Sequence, residues 1–175
     1  LLAIRYFAVG DFWKGLISAS NFIGFLLAAP LTGLLARTEI RRSRVLASLT
    51  LLASAALISA VFAGNGIFFA IAVTLSSAAI HIRQPFFTDL YSEVYPVERR
   101  ARCISLGLRL QLSFSVILGL VYGQLLDLNL ELWRWIFAGV ALVIGIMAFL
   151  LLRLPQKLIH RHEENWLRVM AIPFR

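Results

Sequence analysis

Five stretches of this chain are apolar for long enough to cross a bilayer, and nothing else constrains the fold as much. The hydrocarbon core offers no water to a backbone amide, so an isolated spanning segment must close its own hydrogen bonds, which only an α-helix does. A helix rising about 1.5 Å per residue needs about 20 residues for the crossing. The spans predicted on that basis are 15–36, 45–63, 67–88, 104–126 and 132–152. The expected fold class is all-α integral membrane.

The connectors alternate in charge. Arg37, Arg41, Arg42 and Arg44 crowd the first loop, while Gly64 to Gly66 carries no charge. Arg99, Arg100 and Arg102 follow, then a loop holding only Arg134, then a tail with Arg153, Lys157, Arg161, Arg168 and Arg175. Basic loops stay in the cytoplasm, so this rhythm predicts a multi-pass protein of the cell (plasma or inner) membrane, with its two ends on opposite faces. The N-terminus is then external.

A net charge of +8 could suggest a nucleic-acid partner, but 60% hydrophobic residues and a mean hydropathy of +0.83 belong to lipid. The arginines read as anchors to anionic headgroups, and nucleic-acid binding is excluded from the expectations. Cys103 is the only cysteine, which leaves no intrachain disulfide and no thiolate metal cluster. His160 and His162 lie in the basic tail without carboxylates spaced as metal ligands, and no nucleotide or nucleophile motif occurs. No metal, cofactor or enzymatic activity is expected.

Small residues recur where helices must approach closely. Gly119 and Gly123 form a GxxxG pair in the fourth span, with Gly24 and Ala28 in the first and Ala56, Ala60 and Gly64 in the second. Such faces let backbones pack by van der Waals contact in a solvent that gives no hydrophobic drive between helices.

Several segments in order resemble a known family. Gly33, Arg41 and Arg42 fall at matching positions of the GxxxDRxGRR loop pattern of the major facilitator superfamily. Tyr95, Pro96, Val97, Glu98, Arg99 and Arg100 resemble its proline-arginine segment; Trp133, Arg134, Trp135 and Phe137 its tryptophan-rich boundary; Leu154 and Pro155 its closing Leu-Pro. Arg37, Thr38 and Ile40 replace the loop's aspartate, arginine and glycine, so a charge relay through that aspartate is in doubt. Leu120 stands where drug/proton antiporters tend to have proline, and Val73 where the family often has an arginine. The resemblance implies the N-terminal six-helix bundle of a carrier, with residues 1–10 as the end of a lost first helix or an external loop. It makes 1–155 the transmembrane bundle and 156–175 a cytoplasmic linker to a missing C-terminal half. It also gives Gly33, Arg41 and Arg42 a gating role.

Arg83 stands out within the spans, roughly 25 Å along its helix at 1.5 Å per residue. An intramembrane arginine faces a wet cavity or a partner, or else snorkels to the headgroups. Pro85 lacks an N–H, so it leaves the carbonyl of His81 without its helical donor and predicts a kink. His81, Arg83 and Gln84 would then share one polar break, of the kind that lines a solute site. Asn21 is a further candidate for the cavity, or simply a bond between helices, and Arg109 could add a second basic contact. Asp89 could pair with Arg99 as a gate lock, or belong to an ordinary solvated interface.

No carboxylate occupies the middle of a span. The resemblance implies secondary active or facilitative transport by alternating access, and Arg83 and Arg109 point to a small organic anion. The expected partners are the bilayer, a small solute and the missing half. A non-transporting scaffold or sensor built on the same bundle is the alternative.

Overall fold

The computed structural model describes residues 6–35, 42–94 and 97–153, with positions 42, 92–94, 97 and 100 described by their backbone alone. Arg41, the Tyr95–Pro96 step and the tail from Leu154 lie outside these residues. The chain forms α1 (Asp11–Leu35), α2 (Arg42–Val61), α3 (Gly66–Ile82), α4 (Gln84–Val94), α5 (Val97–Leu128) and α6 (Trp133–Leu152). A 3-10 turn, Leu130–Leu132, precedes α6, and the described residues contain no strand. Five of the helical segments are long and apolar enough to cross a membrane, α3 and α4 counting together as Gly66–Tyr91.

Local chemistry sets the ends. Asn65 caps α3, its side chain accepting the Phe68 amide at 2.8 Å, and Asn129 accepts the Glu131 amide at 2.9 Å to start the 3-10 turn. Pro30 sits inside α1, which continues past it. Pro85 has the larger effect: the long third span divides at Arg83 into α3 and α4. The Arg83 amide turns to the His81 carbonyl, so the carbonyl expected to be free has a donor. The break itself lies where the sequence places it.

The packing order is α1 against α3, α3 against α2, and α2 against α6. The contacts fix the directions. Asn21 meets Ser77 and Phe25 meets His81, so α1 and α3 run parallel. Ser76 reaches Ala53 and Arg83 reaches Thr50, so α2 opposes α3; it opposes α6 likewise, since Ser54 reaches Ala141 while Trp133 sits beside Ala60 and Leu151 beside Leu46.

Two apolar clusters close the ends of this stack. Leu46, Ala47, Phe86, Leu90 and Leu151 fill the end where α2 begins. Ala60, Ala63, Phe69, Ala72 and Trp133 fill the other, with Phe7 stacked on Phe69 at 4.6 Å. Between them the helices are tied by hydroxyls: Ser54 Oγ donates to the Ala141 carbonyl at 2.7 Å and Ser76 Oγ to the Ala53 carbonyl at 2.9 Å. Such bonds satisfy polar groups where lipid cannot. α5 stands apart, with none of its spanning window buried and most of its leucines, both valines of that window and Phe114 outward, while Leu126 near its end packs on the Trp133 cluster.

Candidate functional site

The polar residues of the third span fall on two faces, because residues four or seven apart on a helix share a side while neighbours do not. Ser77 and His81, four apart, look toward α1. Ser77 Oγ donates to Asn21 Oδ1 at 2.7 Å, and the imidazole packs edge-on to the Phe25 ring at 5.0 Å. His81 Nδ1 lies 2.8 Å from the Ser77 carbonyl, an atom that only accepts, so the N–H belongs on Nδ1. Nε2 is then the acceptor nitrogen of the ring. Gly24 makes this face possible: a Cβ there would stand 2.6 Å from His81 Cβ and 2.7 Å from the Ala78 carbonyl oxygen.

Ser76 and Arg83, seven apart, look toward α2. The half-buried Arg83 extends Nη1 to Thr50 Oγ1 at 2.9 Å, and its guanidinium lies 5.2 Å from the centre of the Phe87 ring. Thr50 is fully buried and donates its own hydroxyl to the Leu46 carbonyl at 2.6 Å, so its remaining lone pair points at the arginine. A guanidinium has five N–H donors, and this contact engages one of them. Among the described residues Arg83 has no carboxylate partner.

The structure therefore separates residues that the sequence groups together. Arg83 and His81 lie on different faces, Gln84 is exposed at the start of α4, and Asn21 joins His81 through Ser77. Arg109 is exposed on α5, which packs mainly against α4 at one end and the 3-10 turn at the other, and so is not brought to Arg83. Gly33 is half-buried in the last turn of α1, Arg42 opens α2, Asp89 is exposed on α4 and Arg99 is exposed on the first turn of α5. A Cβ added at Gly119 or Gly123 meets nothing within 4 Å. The contact expected of that pair occurs at Gly24 instead.

Sequence reasoning missed Ser77, Thr50 and Phe25. Ser77 was within reach, since it lies four residues before His81, a spacing that shares a helix face. Thr50 and Phe25 carried no signal, because only the packing of neighbouring helices brings them in.

Parallel and antiparallel spans tied by hydroxyls, apolar flanks turned outward and a broken helix with polar residues at its break define a multi-pass helical membrane protein. A family model, described as Major Facilitator Superfamily, matches residues 4–171, and the chain belongs to that superfamily. Its work is the movement of solutes across membranes. Neither the curated proteins nor the solved structures include a match to this chain.

Proposed function

We propose that the chain carries a small organic anion across the cell membrane by alternating access, with the basic loops on the cytoplasmic side and Arg83 as the contact for the anion. One observation carries the reading: a half-buried guanidinium lies within a spanning segment, bonded to a neutral hydroxyl at 2.9 Å and with no carboxylate partner among the described residues. A charge held in such a place is costly unless a counter-ion visits it. Thr50 and Phe87 hold the guanidinium in position and leave its other donors for a carboxylate or phosphate.

The strip of Asn21, Ser77 and His81 serves in this reading as a second polar wall, on the α1 face, for the uncharged part of the solute. In this reading Gly33, Arg41, Arg42, Asp89 and Arg99 serve a cytoplasmic gate that closes against a second bundle of the same protein. The test is uptake of organic anions by the reconstituted complete protein. Arg83→Gln is expected to lower uptake by about tenfold or more, the weight of one charge-assisted hydrogen bond. Equal rates for the two proteins would remove Arg83 from the site.

A further inference from the structure

At the end of the bundle where α2 finishes and α6 begins, the surface carries two grooves that share one wall. The larger, of about 520 Å³, is edged by Tyr6, Phe62, Glu131, Arg134, Trp135 and Ala138. The smaller, of about 360 Å³, runs between α5 and α6 beside Leu125, Ile136, Gly139 and Val140, and Leu132 and Trp135 divide it from the first. Phe62 and Trp135 are 79% and 78% exposed, an arrangement that makes sense at the level of lipid headgroups rather than in water.

Among the residues lining the larger groove, Glu131 and Arg134 are charged, one of each sign, and they do not pair with each other. Glu131 and Arg134 stand three residues apart and both are exposed, yet no ion pair joins them, unlike Lys14 and Asp11, also three apart, which meet at 2.8 Å. Arg134 instead lies 5.6 Å from the ring of the buried Trp133. The Asn129 side chain, bonded to the Glu131 amide at 2.9 Å, fixes the turn that presents the carboxylate. An anionic ligand would suit Arg134 and be repelled by Glu131. A ligand with both charges suits both.

We propose that this rim binds an amine-bearing zwitterionic phospholipid, with its phosphodiester on Arg134, its ammonium on Glu131 and its two acyl chains in the grooves on either side of Trp135. The site is at the far end of the molecule from Arg83 and does not depend on which solute is carried. Grooves lined by Leu125, Ile136, Gly139 and Val140 on one side and by Phe62 and Ala138 on the other have the apolar character that chains require.

The experiment is native mass spectrometry of the full chain, stripped of lipid in detergent and offered phosphatidylethanolamine, phosphatidylglycerol or phosphatidylcholine in turn. Phosphatidylethanolamine should be retained about tenfold better than the others, since only its ammonium donates a charge-assisted hydrogen bond to Glu131. Glu131→Gln should lower it to the phosphatidylglycerol level while phosphatidylglycerol itself holds at least as well, which also shows that the variant is folded. Arg134→Gln should weaken all three. Equal retention of the three lipids by the wild type, or an undiminished amine preference in Glu131→Gln, overturns the proposal. So does displacement of the lipid by excess soluble glycerophosphoethanolamine, because the chains would then contribute nothing.

Discussion

A Cβ placed on Gly24 would lie 2.6 Å from the Cβ of His81, closer than real Cβ atoms come, and 2.7 Å from the Ala78 carbonyl oxygen. The parallel pair α1 and α3 therefore meets backbone to backbone at this point. Asn21 reaches Ser77 and Phe25 reaches His81 because the helices are this close.

Gly24→Ala should cost about 2 kcal/mol of stability, since the obstacle is a main-chain carbonyl that cannot swing aside. Gly119→Ala and Gly123→Ala, where nothing lies within 4 Å of the added carbon, should leave stability nearly unchanged. Thermal unfolding of the three variants in one detergent decides the matter. A Gly119 variant as damaged as the Gly24 variant would refute the packing described for α5.

Thr50→Val keeps the shape of a fully buried side chain but removes the acceptor that Arg83 Nη1 meets at 2.9 Å. Under the anion reading, KM for the anion should rise about threefold to tenfold while protein yield holds, the range of one hydrogen bond to a charged group. Thr50→Ser, which retains the hydroxyl, should transport nearly as the wild type does. If Thr50→Val transports normally, the threonine does not position Arg83.

Among the described residues, the buried Thr74 Oγ1 and Trp133 Nε1 have no hydrogen-bond partner. Replacing such a group with an apolar isostere removes a desolvation cost without losing a bond. Thr74→Val should be neutral or stabilising by up to about 1 kcal/mol. Trp133→Phe should cost far less than Trp133→Ala, for which the emptied aromatic cluster predicts a loss of about 3–5 kcal/mol. Urea or heat unfolding followed by tryptophan-independent circular dichroism would measure all three.

Sidedness can be read with thiols. With Cys103 replaced by Ser, a cysteine at Gly64, on the uncharged bend, should react in intact cells with an impermeant maleimide. The native Cys103, half-buried near the arginine-rich end, should react only after the membrane is opened. Labelling of both from outside would place the two bends on one face and defeat the cytoplasmic assignment of the basic loops.

The five spans were legible because length and hydropathy alone decide whether a segment crosses lipid, and Pro85 marked the break three residues beyond the end of α3. The neighbours were not legible. A GxxxG pair says that two backbones are able to approach, but which helix comes near depends on the packing order, so Gly119 and Gly123 face open space while Gly24 carries the contact. Arg83 and His81 are close in sequence yet nearly opposite around the helix. The 3.6-residue period assigns them different sides, but only the positions of α1 and α2 show what each side meets.

Midway along α2 the ties to α3 and α6 are hydroxyls on carbonyls, and no ionised group takes part in the bonds of Ser54 and Ser76. Added electrolyte or acid has little to act on there, since screening and protonation work on charges. Flux that varies with ionic strength in this protein would thus report on Arg83 and the charged rims rather than on the hydroxyl ties of Ser54 and Ser76.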